Sequence, residues 1–290
     1  MGRFDGVMLL SDFDNTLLYT KPFSAVDVVP PPSMAPRNVE AIQYFIDEGG
    51  RFTVATGRAL VIFRPYVGKF PMNAPVILNN GGSLYDFSQN TYVLSIVLPG
   101  EAMGELGAVF DRYPEAAAEI YHPTDLVEAV RPNQWTESHA RLTGVRDTEI
   151  PSLQQATAPA TKIIFEAERE TLLEIRAELL AQGAGDRYEM FLSADRLLEI
   201  TGKGVDKGHM ALELARRYGV SPEHLYCIGD QNNDLPLLRV ARQAFAPANA
   251  IEELKQNPAV TVVGHCLDGA VADVIEWLKE RYPAKEPALT

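Results

Sequence analysis

The chain has 290 residues, 46% of them hydrophobic, enough for about two domains and a sizeable core. Its net charge is −13, from 39 acidic and 26 basic residues, which argues against a broad nucleic-acid interface but allows one small anion in a pocket. Two cysteines, Cys227 and Cys266, make no disulfide framework. No stretch is apolar enough to span a bilayer, and the N-terminus lacks a secretory pattern, so a cytoplasmic protein is expected.

"GVMLLSD" is a short apolar run that reads as a buried strand. A Pro-rich loop, "VVPPPSMAP", follows. In "APRNVEAIQYFIDEGG", Val39, Ile42, Phe45 and Ile46 recur at helical spacing until Gly49 and Gly50 stop them. "RFTVATG" reads as a strand, "RALVIFRPYVGKF" as a helix and "APVILNNGG" as a strand with a turn. This alternation predicts a Rossmann-like parallel sheet with helices on both faces.

The pattern then changes. "SLYDF" and "TYVLSIVL" suggest an antiparallel hairpin, and a helix is expected over 102–112. "AAEIYH", "LVEAV", "TKIIFEAE", "YEMFLS" and "RLLEIT" read as strands, with "RETLLEIRAELLAQG" an amphipathic helix among them. Residues 83–199 are therefore expected to form an inserted α+β unit. After Gly204 the alternation returns, through "HLYCIGD", "QAFAPAN" and "AVTVVG", to the last helix "LDGAVADVIEWLKERY" and the tail "PAKEPALT". Cys227 lies in an apolar strand and reads as a core thiol. Residues 1–82 and 200–290 are expected to build one α/β core around the insert.

Ligands in such sheets bind at the carboxyl ends of strands. The first strand ends in Asp12 and Asp14, the second in Thr56-Gly57-Arg58, and "LYCIG" in Asp230 followed by Gln231, Asn232, Asn233 and Asp234. Gathered on one edge, Asp12, Asp14 and Asp230 would repel, with no arginine to compensate them, unless a cation intervened. Oxygen donors suit Mg²⁺. Lys207 opens a helix, where its charge opposes the macrodipole; it is either a solvated surface lysine or the partner of a bound anion. Thr56 is either a helix cap or, with the amide of Gly57, a donor to that anion.

These residues resemble the haloacid dehalogenase-like hydrolases. "DFDNT", "ATGR", "GVDKGHM" and "GDQNNDLPLL" match the four motifs of that superfamily in order, and the insert resembles the α/β cap of its Cof-type subgroup. The resemblance implies a Mg²⁺-dependent phosphatase of small phosphate monoesters, sugar phosphates above all. Asp12 would be the nucleophile that forms an aspartyl-phosphate. Asp14 would be general acid, then general base. Asp12, Asp230 and the backbone carbonyl of Asp14 would hold the metal. Asp234 would orient a metal-bound water or Lys207. The amide of Phe13 with Thr56, Gly57, Lys207 and Asn233 would bind the phosphoryl group. A phosphomutase and a non-catalytic phosphosugar-binding regulator are the rival readings. The partner is a small phosphorylated metabolite, with no nucleic acid or membrane, and the chain is expected to be a monomer or small homo-oligomer. In the cap, Tyr121, His122, Arg131, Trp135, His139, Arg141 and Tyr188 read first as surface or packing residues. His122 and His139 are too isolated to suggest a metal pair. Asn80 is as readily a turn residue as a site residue.

Overall fold

A computed structural model describes residues 2–20 and 33–283. The Pro-rich loop up to Pro32, and the tail beyond Pro283, lie outside the described residues. In chain order the elements begin with β1 (Met8–Ser11), α1 (Pro36–Asp47), β2 (Arg51–Val54), α2 (Leu60–Phe63), β3 (Val76–Leu78), β4 (Ser83–Asp86) and β5 (Thr91–Ser95). Then come α3 (Ala102–Phe110), β6 (Ala117–Tyr121), β7 (Val127–Val130), α4 (Gln134–Thr143), β8 (Thr148–Glu149), β9 (Lys162–Glu166), α5 (Arg169–Ala181), β10 (Tyr188–Ala194) and β11 (Leu197–Gly202). The chain closes with α6 (Lys207–Arg217), β12 (Leu225–Ile228), α7 (Leu235–Val240), β13 (Gln243–Ala246), α8 (Glu252–Lys255), β14 (Val260–Val262) and α9 (Ala270–Arg281).

The core sheet is parallel, in the order β14-β13-β12-β1-β2, so strands from both ends of the sequence share it. Successive side chains on a strand point to opposite faces. Leu9, Phe52, Tyr226 and Phe245 accordingly pack with Ile42 and Phe45 of α1 and Val271, Ile275 and Leu278 of α9. Met8, Leu10, Leu225 and Cys227 pack on the other side with Met210 and Leu214 of α6 and Leu237 of α7. Burial on both faces is why these strands read as continuous apolar runs. Among the described residues no helix is long and apolar enough to cross a membrane.

The cap sheet runs β10-β11-β9-β6-β7-β8. One face is apolar: Ala118, Ile120, Ile163, Phe165, Leu198 and Ile200 are covered by Leu106 and Phe110 of α3 and Leu172, Ile175 and Leu179 of α5. The other face carries Glu119, Tyr121, Lys162, Glu166 and Glu199, all buried. Part of it meets the core, where Tyr121, Ile164 and Leu197 join Ala59 and Ile62 beside α2. The chain is thus an α/β parallel core with an inserted α+β cap.

Several elements differ from the sequence reading. The β4–β5 hairpin, expected in the insert, pairs with β3 in a separate antiparallel sheet. Leu84 and Tyr85 of that hairpin enter the two core clusters, which is where its apolar residues find a partner. The helix expected from Arg58 to Phe70 is only α2 plus a short 3-10 turn over Arg64–Tyr66. Pro65 lacks the amide that would extend the α-helical ladder. Helix α4 was not expected. It has few apolar residues, but Asn133 caps Trp135 and Thr136, and Gly144 ends it in the left-handed region.

Candidate active site

Parallel register sets the site. Ser11 lies level with Ile228 on one side and Val54 on the other. The residues just beyond, Asp12, Asp230 and Thr56, therefore emerge side by side at the carboxyl edge. The Asp12 amide still donates to the Ile228 carbonyl at 2.9 Å, which fixes where the first aspartate leaves the sheet. Phe13 turns inward, edge-on to Phe63 and Tyr66, so the side chains on either side of it face away from the core.

Lys207 is fully buried at the start of α6. Its ammonium donates to Asp12 Oδ1 at 2.5 Å and Asp234 Oδ1 at 2.7 Å. Burial alone would pull the Lys207 pKa down; Asp12 and Asp234 override it and hold the value above its ordinary range. The other oxygen of Asp234 accepts the amides of Asp230 and Gln231 at 2.9 and 3.0 Å. That tight loop needs Gly229, because a Cβ there would lie 2.5 Å from Asp234 Cβ. The Thr16 hydroxyl donates to Asp230 Oδ1 at 3.2 Å.

Asp12, Asp230 and Asp234 each bring a carboxylate oxygen within 4.8 Å of the others. Burial, then the charges of Asp234 and Asp14, push the Asp12 carboxyl up to about 7 against the pull of Lys207. Burial, then Asp12 and Asp234, push Asp230 well above the usual carboxylate range. One ammonium does not balance three buried carboxylates. An oxygen-only donor set with surplus negative charge fits a hard dication such as Mg²⁺.

Asp14 is not in that cluster. Its carboxylate turns to Arg58, which donates from Nε to Oδ2 at 2.8 Å and from Nη2 to Oδ1 at 2.6 Å. The Thr20 hydroxyl adds a bond at 2.9 Å. The three aspartates therefore do not meet without an arginine, contrary to the sequence reading. Arg58 is held for this task by the rings of Phe13 and Tyr66, 5.2 and 4.9 Å from its guanidinium carbon. With its side chain 36% exposed, Asp14 keeps contact with solvent that Asp12 lacks.

The Thr56 hydroxyl accepts the Arg58 amide at 3.1 Å, which leaves its own proton to give. Asn233 donates to Asn80 Oδ1 at 3.1 Å, and Asn80 donates to Glu199 Oε2 of the cap at 2.8 Å. Lys162 pairs with Glu199 at 3.0 Å and donates to the Gly57 carbonyl at 2.9 Å. A buried polar chain thus joins the second and fourth motifs to the cap. Arg58, Thr16, Lys162 and Glu199 were not singled out from sequence. Arg58 and Thr16 stand inside the quoted motifs. Lys162 and Glu199 had one signal: a charge within an apolar strand must find a partner.

The sequence profile of the haloacid dehalogenase-like hydrolases matches residues 9–275. The chain belongs to the haloacid dehalogenase-like hydrolase family. An HMP-PP phosphatase of Serratia proteamaculans is 24% identical over 287 residues, covering 96% of this chain and 97% of that protein. A 5-amino-6-(5-phospho-D-ribitylamino)uracil phosphatase of Bacillus subtilis is 24% identical, covering 84% of this chain and 92% of that one. The crystal structure of a haloacid dehalogenase-like hydrolase from Bacteroides thetaiotaomicron shares the fold, with a TM-score of 0.76 at 23% identity, covering 94% of this chain and 99% of that chain. Asp12, Asp230, Asp234 and Lys207 lie together at the carboxyl edge of the core sheet.

Proposed function

We propose that this haloacid dehalogenase-like phosphatase hydrolyses small phosphate monoesters, sugar phosphates among them, through an aspartyl-phosphate on Asp12. The observation that carries the reading is one buried cluster, Asp12, Lys207, Asp230 and Asp234, with a second aspartate held outside it by Arg58. Two aspartates with different surroundings suit two different tasks.

Asp12 attacks phosphorus, and the phosphoryl–oxygen bond to the leaving group breaks. Asp14, released from Arg58 and protonated, gives its proton to that oxygen. It then takes a proton from the water that attacks the aspartyl-phosphate, so inorganic phosphate leaves and Asp12 is restored. Lys207 stays charged beside Asp12 throughout and stabilises the equatorial oxygens, with Thr56, Asn233 and the amides of Phe13 and Gly57 as further donors. Asp12, Asp230 and the backbone carbonyl of Asp14 would hold Mg²⁺, which when bound neutralises the carboxylates and the incoming phosphate. Asp234 fixes Lys207 and the Asp230 loop. The cap lies over this edge and contacts the leaving group.

We place the start of the insert near residue 97, because β4 and β5 pair with β3 and Leu84 and Tyr85 pack in the core clusters. The test is Mg²⁺-dependent phosphate release from a panel of phosphomonoesters. Activity on at least one substrate, absent in Asp12→Asn, is expected. Full activity of Asp12→Asn would overturn the mechanism. Label moving from one sugar position to another, with little free phosphate, would favour a mutase instead.

A further inference from the structure

The polar face of the cap sheet holds a second cluster. Glu119 on β6, Glu166 at the end of β9 and His139 on α4 are buried together. Ala117 pairs with Glu166 and Glu119 with Ile164, so the two carboxylates share one face, diagonally across neighbouring strands. Helix α4 lays His139 over them. Its Nδ1 is 2.8 Å from Glu119 Oε2 and 3.4 Å from Glu166 Oε1.

Three of these four carboxylate oxygens, Glu119 Oε1 and both of Glu166, make no hydrogen bond of ordinary geometry among the described residues, and Glu166 is held only by the longer ion pair with His139 and the neighbouring Thr136 hydroxyl. The fourth, Glu119 Oε2, already takes the Tyr121 hydroxyl at 2.5 Å as well as the imidazole. The nearby Thr136 hydroxyl is shared between Asn133 Oδ1, at 3.5 Å, and Glu166. Glu119 and Glu166 are both 0% exposed, so water does not serve those oxygens from bulk solvent. Under-satisfied buried carboxylate oxygens are costly. A second observation concerns α4 itself: its buried residues are Thr136 and His139, so it has no buried apolar anchor on the sheet.

We infer that Glu119, His139 and Glu166 bind one divalent transition-metal ion, which ties α4 to β6 and β9. An imidazole nitrogen with two carboxylates selects against Mg²⁺ and Ca²⁺, which take oxygen donors, and suits Zn²⁺ or Mn²⁺. A tetrahedron with bonds of about 2.0 Å has edges of about 3.3 Å. The 2.8 and 3.4 Å separations bracket that edge. The ion takes the place of the Nδ1 proton, which leaves to solvent. Two carboxylates, a neutral imidazole and a dication then sum to zero charge. This ion is separate from the one proposed at Asp12 and Asp230.

The test uses the full chain carrying Asp230→Asn, which disables the core acidic cluster. After chelation and removal of the chelator, Zn²⁺ is titrated and bound metal is counted by atomic emission. One equivalent is expected, with a rise in melting temperature of ~5 °C or more near saturation. Glu166→Gln in the same background should lose both. No bound Zn²⁺ in Asp230→Asn, or an undiminished equivalent and shift after Glu166→Gln, overturns the proposal; the cluster then holds protons only. If Glu166→Gln does not fold, Co²⁺-loaded Asp230→Asn with ¹⁵N-labelled histidine decides. Of the five histidines, His139 should carry the hyperfine-shifted ring signals. An unshifted His139 overturns the proposal.

Discussion

Asp12 and Asp14 stand one residue apart, yet their surroundings have little in common. Asp12 is buried against Lys207, while Asp14 faces Arg58, Thr20 and solvent. The chain bends at Phe13, whose ring goes into the core, and the two aspartates part there. Asp14→Asn is expected to lower kcat by about 10²–10⁴-fold for an alkyl phosphate. The loss should be much smaller for nitrophenyl phosphate, whose leaving group needs no proton. Steady-state kinetics with both substrates checks this. Lys207→Met removes the cation from a fully buried site and leaves Asp12 and Asp234 facing each other. A loss of about 3–5 kcal/mol is expected from urea denaturation. The positions of Asp12, Thr56, Lys207, Asp230 and Asp234 were legible because each falls at the end of a strand or the start of a helix. Arg58 as the partner of Asp14 was not. The pairing depends on where a long side chain turns, and that is set by the rings of Phe13 and Tyr66.

Helices such as α1 and α9 were readable because each buries one apolar face. Helix α4 was missed for the opposite reason: what holds it down is polar. The β4–β5 hairpin was seen, but its sheet partner was not, since a hairpin's own pattern does not say which third strand it joins. Lys162 on β9 and Glu199 on β11 tie the cap to the Gly57 and Asn80 loops. Lys162→Met cuts the bond to the Gly57 carbonyl and leaves Glu199 without its cation. A drop in kcat/KM of about ten- to a hundredfold is expected, from loss of cap alignment over the phosphate loop. The check is a comparison with Asp14→Asn on the same substrates. The Lys162→Met loss should depend little on leaving-group pKa.

At the scale of the molecule, two ends of the chain build one sheet, and the insert builds the cover. The four motifs made the core legible, whereas the cap's polar face needed tertiary pairing to appear. Charge on the core site gives a pH signature. Asp12 is raised from 3.8 to about 7. Without metal, the folded state therefore binds a proton that the unfolded chain has released, and stability falls as pH rises through that window. Mg²⁺ needs the ionised carboxylates, so its stabilising effect should grow from about pH 6 to about pH 8. Melting curves in chelator and in Mg²⁺ across that range check the sign.

The most direct measurement is a trap of the covalent intermediate. Asp14→Asn is mixed with nitrophenyl phosphate and Mg²⁺, quenched in acid, digested and examined by mass spectrometry. A good leaving group lets the first step proceed, while loss of the Asp14 base slows attack by water. One phosphoryl group on the peptide that contains Asp12 is the expected result. Release of nitrophenol with no phosphoryl group on Asp12, or with the group on another residue, would contradict Asp12 as the nucleophile.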